Sequence, residues 1–167
     1  LAASLSMVQV QAAFQTLDLS AACAAAFSNA PSPQSWSVLP RGTNAFHGIP
    51  FRVDGKLEVT GIQDASKGEF HPPRLDRLPV RGRAHRVHLL HGMDGVDKDG
   101  IPLAKVVLRY GNGGQRSFRL AYGVQGRSWM QERSERAGGL LDPESRQAWT
   151  SAAEDPERPG SSVRLFQ

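Results

Sequence analysis

The sequence predicts an all-β fold, an antiparallel β-sandwich of jelly-roll type with minor short helices. Several short segments alternate apolar and polar residues with a period of two, and turn residues close most of them. The 17 Gly and 11 Pro suit frequent turns, and long helical patterns are few. Short strands separated by turns, with hardly any helix, are typical of sandwiches and barrels. A chain of 167 residues fits a single domain.

The first predicted hairpin lies in the middle of the chain. Residues 49–53 and residues 56–60 each alternate apolar and polar side chains. Asp54-Gly55 separates the two segments, and Asp-Gly is a favoured pair for a tight hairpin turn. We therefore expect these segments to pair with one another.

The second predicted hairpin has the strongest strand pattern. Residues 104–110 and 115–122 alternate in phase, and Asn112-Gly113 lies between them. Asn-Gly tolerates a positive φ at both central positions of a turn. We expect the inward-facing residues of this hairpin to form the core: Val106, Leu108, Phe118 and Leu120.

The remaining elements are weaker. The sequence predicts a strand over residues 86–91, a loop over 64–79, a short helix within 17–27 capped by Asp18 or Ser20, and a helical turn around 143–149. A last strand opens at Val163 and stops at Gln167. We therefore expect the chain to be truncated at its C-terminus, with part of the Val163 strand left as an unpaired edge.

The N-terminus suggests an exported protein. Residues 1–13 are small, apolar and uncharged, which is typical of the end of a signal peptide; a frayed start or a first strand are the alternatives. We expect residues 14–167 to form the domain and the protein to lie outside the cytoplasm. Cys23 is the single cysteine, so an internal disulfide framework and a Cys-rich zinc site are excluded.

The net charge of +4 is scattered along the chain. The densest basic stretch, residues 74–86, contains five arginines but no aromatic side chain. Proteins that bind nucleic acids usually interleave the two, so we predict no nucleic-acid partner. A surface that binds another polyanion stays an alternative, if these arginines share a face. No apolar run approaches the roughly 18 residues that span a bilayer, so we predict no membrane span.

Catalytic and metal-binding motifs are missing from the sequence. There is no G-x-S-x-G and no phosphate-binding glycine loop. His88 and His91 would face opposite sides of a strand, and the acidic loop of Asp94, Asp97 and Asp99 lacks the Glu of a calcium-binding loop. We predict no enzymatic activity, no metal and no cofactor.

Aromatic residues offer the best candidate site. Tyr122 and Trp129 flank a loop that also contains Arg127. Aromatic rings can stack on sugar rings while an arginine donates hydrogen bonds to hydroxyl groups. We predict Trp129, Tyr122 and Arg127 as sugar-binding residues. Packing of Trp129 in the core of the sandwich, or at one end of it, is the alternative.

Four short motifs carry a family resemblance over residues 39–130. These are Gly48-Ile49-Pro50-Phe51, Leu89-Leu90-His91, Tyr110-Gly111-Asn112-Gly113 and Trp129. In this order they resemble a bacterial extracytoplasmic β-sandwich module, similar to galactose-binding-like carbohydrate-binding domains. The chain departs from the family pattern at Asn112, where Asp is commoner.

The resemblance implies a non-catalytic accessory role. We expect a carbohydrate-binding-like module of an exported bacterial protein, with a glycan and the further domains of a longer chain as partners. A structural or protein-interaction β-sandwich spacer without a small ligand is the alternative. The resemblance carries over no catalytic residue.

Overall fold

The computed structural model describes residues 14–20, 25–26, 38–59, 74–76, 78–80, 82–93, 95, 97–132, 139–155 and 158–167. Within these ranges the regular elements are strands, without an α-helix. They are β1 (Ala25–Ala26), β2 (Gly42–Phe46), β3 (Ile49–Val53), β4 (Gly55–Lys56), β5 (Pro102–Arg109), β6 (Gln115–Ala121), β7 (Met130–Glu132), β8 (Gln147–Asp155) and β9 (Arg158–Phe166). The described part is all-β, in small antiparallel sheets.

β2 and β3 form a hairpin around the turn at His47 and Gly48. Both turn residues have a positive φ, 50° for His47 and 80° for Gly48. Two positive φ values suit the two-residue turns that match strand twist. The predicted pairing of residues 49–53 with 56–60 is therefore wrong, because β3 pairs with the segment before it.

β4 pairs with β1 instead of β3. Asp54 lies between β3 and β4 as a bend, so the Asp-Gly signal redirects the chain without closing a hairpin. The predicted helix within residues 17–27 is also wrong at its end, where β1 is a strand. At its start, Asp18 accepts a hydrogen bond from the Ser20 backbone at 2.9 Å. Residues 21–24 lie outside the described part.

The β5–β6 hairpin confirms the strongest sequence pattern. Its register runs from Ala104 opposite Leu120 to Arg109 opposite Gln115. The turn differs in detail, because among its residues only Gly113 has a positive φ, 84°. The Tyr110 carbonyl accepts a hydrogen bond from the Gly113 amide at 3.0 Å, as in a type I turn followed by a left-handed residue.

A three-stranded sheet in the order β7-β9-β8 occupies the C-terminal part of the chain. β9 pairs with β7 from Ser161 to Val163 and with β8 along most of its length. The expectation of an unpaired edge at Val163 is therefore wrong, since β9 is the central strand. The helical turn predicted around residues 143–149 is wrong at its end, where β8 begins.

The buried core lies beside this sheet. Leu39, Met130 and Val163 form its buried cluster, and Val163 is fully buried. Four half-buried residues pack against the cluster: Val38, Trp129, Trp149 and Leu165. Val106, Leu108, Phe118 and Leu120 do not form the core, and Phe118 is 40% exposed. The strands of this hairpin are thus predicted correctly. The predicted core is wrong, because none of these four side chains is buried.

Residues 86–90 form no strand, and His91 makes an isolated antiparallel bridge to Phe166. Two backbone hydrogen bonds of 2.9 Å join His91 and Phe166. The strand prediction over residues 86–91 therefore holds only at its last residue. Residues 1–13, Cys23 and most of the predicted loop 64–79 lie outside the described part. Among the described residues, no helix is long and apolar enough to cross a membrane.

We expect alanine substitutions at a buried and at an exposed leucine to differ in their effect on stability. Leu39→Ala should lower the free energy of unfolding by about 2–5 kcal/mol, because it leaves a cavity beside Met130 and Val163. The same change at exposed Leu141 should alter it by less than about 0.5 kcal/mol. Urea unfolding of both variants tests this. Equal losses would show that the core lies elsewhere.

Candidate functional site

Three loops meet at the base of the β5–β6 hairpin, and we call them the loop cluster: residues 97–101, 122–128 and 139–146. The Gly100 amide donates to the Tyr122 carbonyl at 2.8 Å, and the Tyr122 amide donates to the Ile101 carbonyl at 3.0 Å. The Leu141 amide donates to the Gly123 carbonyl at 3.0 Å. Backbone hydrogen bonds therefore fix the three loops to one another without depending on side-chain identity.

Gln125 and Asp142 add side-chain bonds to this backbone frame. The Gln125 side chain accepts from the Ala121 amide at 2.9 Å and donates to the Asp142 carboxylate at 3.3 Å. Asp142 also accepts from the Glu144 amide at 3.0 Å and from the Ser145 hydroxyl at 3.1 Å. The hydrogen bond from Glu144 is the main reason that the pKa of Asp142 lies below its ordinary value. Asp142 therefore holds its loop as an ionised acceptor at neutral pH.

Arg127 and Asp99 form an ion pair at the centre of the loop cluster. Arg127 Nη2 lies 3.0 Å from Asp99 Oδ2 and 3.2 Å from the Gly139 carbonyl oxygen. Its guanidinium carbon lies 5.5 Å from the centre of the Tyr122 ring, within range of a cation–π interaction. The Arg127 side chain is only 13% exposed, whereas that of Asp99 is 43% exposed. Asp99 thus presents the accessible edge of the pair.

The environment of Arg127 stabilises the protonated form of its side chain. Burial alone would lower the pKa of Arg127, but the hydrogen bond and the negative charge of Asp99 outweigh that effect and the pKa is raised. Its Nε atom is buried without a hydrogen-bond partner among the described residues. The guanidinium is thus held through Nη2, by Asp99 and the Gly139 carbonyl, and it stays cationic at any physiological pH.

Gly123 allows Asp99 to reach this position. Gly123 has a φ of 70°, and a side-chain carbon added to it would collide with the Asp99 carboxylate. A left-handed backbone and a close approach both favour glycine here. The sequence offers no local signal for this pairing, because Arg127 and Asp99 are 28 residues apart.

The structure brings Tyr122 and Arg127 together and places Trp129 elsewhere. Tyr122 is 2% exposed, so its ring supports the Arg127 guanidinium and offers little surface to a ligand. Trp129 packs against the cluster of Leu39, Met130 and Val163. This position agrees with core packing, the alternative that the sequence left open for Trp129. Asp99, which sequence reasoning assigned to an acidic turn, is the polar residue that it missed.

A pocket of about 280 Å³ lies beside the loop cluster. Gly139 and Leu140 line one part of it, and Arg164 and Phe166 line another. Arg164 is buried, donates from Nε to the Ser128 carbonyl at 2.7 Å, and lies 5.3 Å from the Phe166 ring centre. The Arg164 guanidinium therefore links β9 to the chain at Ser128.

His91 is a half-buried titratable residue beside β9, and its Nδ1 atom is buried. Its ring lies 6.4 Å from that of Phe166, and Nδ1 has no hydrogen-bond partner among the described residues. Burial lowers the pKa of His91 from 6.5 to about 4. The ring is therefore neutral in the folded protein at pH 7.

No group of three or more His, Cys, Asp or Glu side chains that could hold a metal lies within the described ranges. Comparisons with known proteins add no relative. No family model matches the chain, and neither a curated protein nor a solved structure matches it. The geometry of the loop cluster is thus the basis for a functional proposal.

Gly123 provides a test of how Asp99 is held. Gly123→Ala and Gly113→Ala both place a side chain at a positive φ, at a cost of about 1–2 kcal/mol each. Nothing lies within 4 Å of the added carbon at Gly113. We expect Gly123→Ala to lose more stability, because it also displaces Asp99 from Arg127. Thermal unfolding of the two variants measures the difference, and equal losses would contradict the close approach.

His91 predicts acid sensitivity. The unfolded chain binds a proton at His91 near pH 6.5, while the folded protein resists it until about pH 4. Stability should therefore fall as the pH drops through this interval, by about 3 kcal/mol at most. Urea unfolding at several pH values should show a flatter dependence for His91→Leu. The exposed substitution His85→Gln should keep the wild-type slope, and a wild-type slope in His91→Leu would refute the assignment.

Proposed function

We propose that this chain is a non-catalytic accessory module of an exported bacterial protein, that it binds a glycan, and that it adopts a jelly-roll β-sandwich. The single observation that carries the binding role is the Asp99–Arg127 pair on the loop cluster. The all-β composition of the described residues agrees with the sandwich. The family resemblance of residues 39–130 supplies the expectation of a glycan and of an extracytoplasmic location.

The chemistry of the pair suits sugar hydroxyl groups. A hydroxyl both donates and accepts hydrogen bonds, and it needs a fixed acceptor or donor to be recognised. Asp99 offers carboxylate oxygens that only accept, and its side chain is 43% exposed. Arg127 holds this carboxylate in place through Nη2. A hydroxyl group that donates to Asp99 would therefore meet a preorganised acceptor, which favours binding.

This proposal changes the roles first expected of the three sequence-predicted residues. The Tyr122 ring contacts the Arg127 guanidinium through a cation–π interaction. Arg127 in turn positions Asp99 through its hydrogen bond. Trp129 packs against the core cluster of Leu39, Met130 and Val163. The sugar contact moves from the aromatic rings to the exposed edge of Asp99.

A non-catalytic role agrees with the charges of the loop cluster. A general acid in glycoside hydrolysis needs a carboxyl group with a raised pKa. The pKa of Asp142 is lowered, mainly by the hydrogen bond from the Glu144 amide. Asp99 is engaged by Arg127 at 3.0 Å. Both carboxylates are held by donors, an arrangement that suits binding better than proton transfer.

A structural spacer is the second candidate, and burial of Arg127 favours it. Tyr122 is 2% exposed and the Arg127 side chain 13%. An arginine this buried can serve the fold alone, by joining the loops through its ion pair with Asp99. The two candidates differ in whether Asp99 contacts a ligand.

Glycan-array binding of Asp99→Asn tests the proposal. This change keeps the shape of the side chain but removes the negative charge that strengthens a hydrogen bond from a hydroxyl group. A hydrogen bond to a charged group contributes about 1.5–3 kcal/mol, so affinity should fall roughly 10- to 100-fold. Asp97→Asn, two residues away and exposed, is the matched control and should bind as wild type does.

Two outcomes would overturn parts of the proposal. Absence of wild-type binding to every glycan would support the spacer. Unchanged binding by Asp99→Asn would reject this site while leaving a glycan-binding role elsewhere on the chain. Circular dichroism of each variant confirms that a loss of binding is not a loss of folding.

A further inference from the structure

One face of the β5–β6 hairpin is exposed and basic. Residues that pair directly across two strands share a face. Lys105 pairs with Arg119, Val107 with Ser117, and Arg109 with Gln115. All six side chains are exposed, and we call this surface the basic face.

The opposite face of the hairpin differs in burial and in chemistry. It carries Ala104, Val106 and Leu108 on β5, which are half-buried. Phe118, paired with Val106, lies on this face as well. Three of the four cations of the hairpin therefore lie on the basic face, and the fourth, exposed Arg116, lies on the opposite face across from Leu108.

Within the described part of the chain, the positive charge of the basic face has no neighbouring negative charge paired with it. Residues 100–131 contain no Asp or Glu. Among the described residues, no carboxylate forms a salt bridge with Lys105, Arg109 or Arg119. Lys105 lies directly opposite Arg119, and like charges in that position destabilise a sheet. The basic face thus carries a folding cost that an anionic partner would relieve.

Several other cations of the described residues have an ion-pair partner. Arg74 pairs with Asp76 at 2.8 Å, and Arg127 pairs with Asp99 at 3.0 Å. Arg52 pairs with Asp54, two residues away. At these positions a carboxylate lies beside the cation, which is not the case for the described neighbours of the basic face.

We propose that the basic face binds a linear acidic polysaccharide. This inference rests on the proposed glycan-binding role and names the class of glycan. Lys105 and Arg109 are four residues apart on one strand, which separates them by about 13 Å. Charges spaced along a flat ribbon complement an extended chain with repeating anionic groups, because each cation can contact a different group. Arginine forks also match planar carboxylates.

The side chains between the cations favour a polysaccharide over a nucleic acid. Ser117 and Gln115 lie on the basic face and can bond sugar hydroxyl groups. The basic face carries no aromatic ring, and Phe118 lies on the opposite side of the hairpin. Single-stranded nucleic acids bind surfaces where aromatic rings stack on bases beside the cations. The basic face lacks that platform.

Binding of defined polymers to the full chain tests the inference. The probes are polygalacturonate and heparin as acidic polysaccharides, dextran as a neutral one, and oligodeoxythymidine as a nucleic acid. We expect the acidic polysaccharides to bind best, with an affinity that falls as salt is raised. The triple variant K105Q/R109Q/R119Q should weaken their binding roughly 3- to 100-fold, since each exposed ion pair contributes about 0.2–1 kcal/mol.

A matched triple variant separates the basic face from net charge. R41Q/R83Q/R116Q removes the same charge from exposed positions outside the loop cluster, and Arg116 lies on the opposite face of the same hairpin. This control should bind acidic polysaccharides as wild type does. An equal loss in both triple variants would overturn the inference, as would tighter binding of oligodeoxythymidine.

Failure of this inference is distinguishable from failure of the proposed function. Binding of neutral glycans that depends on Asp99, with no binding of either acidic polysaccharide, would reject the basic face and keep the glycan-binding role. No binding of any glycan, neutral or acidic, would reject both. Melting temperatures of the variants should match wild type or exceed it, since removing Lys105 and Arg119 relieves their repulsion.

Discussion

The pairing of β9 on both sides is the constraint on which most of the described structure depends. β9 joins β7 and β8 into one sheet, and its last residue, Phe166, bonds with His91 far away in the chain. Val163, in the middle of β9, is fully buried and forms the core cluster with Leu39 and Met130. A central strand can organise such distant segments because its two edges and its buried face each bind a different partner.

The loop cluster inherits its position from β9. The Arg164 amide donates to the Trp129 carbonyl at 2.8 Å, and its Nε donates to the Ser128 carbonyl. These bonds hold the chain just after Arg127, while β6 holds it just before Tyr122. The backbone is thus held on both sides of the segment that carries Arg127. Backbone hydrogen bonds therefore help to fix the position of Arg127, the ion-pair partner of Asp99.

Local patterns predicted strands, and long-range packing decided the rest. The β5–β6 hairpin was predictable because alternation and Asn112-Gly113 act within one short segment. The β2–β3 pairing was not, since Asp54-Gly55 is a stronger hairpin signal than His47-Gly48, yet the chain closes its turn at the latter. Phe118 shows the limit most clearly: alternation defines which residues share a face, but not whether another sheet covers that face. The Asp99–Arg127 pair has no sequence signal at all, because only the folded loops bring the two residues together.

The two proposed binding surfaces, the loop cluster and the basic face, lie on the same hairpin and differ in whether a carboxylate accompanies the cations. At its base, Arg127 is nearly buried, and the carboxylate of Asp99 offsets its charge and is left as an exposed acceptor. Along its length, Lys105, Arg109 and Arg119 are exposed, and among the described residues no carboxylate forms a salt bridge with them. The first arrangement would favour hydroxyl groups, because Arg127 holds Asp99 in place as an exposed acceptor. The second would favour anionic groups, and binding there would depend strongly on salt. Since Arg119 lies two residues before the end of β6, we expect a polymer that binds along the basic face to approach the loop cluster. There Asp99 would repel its anionic groups and accept hydrogen bonds from its hydroxyl groups.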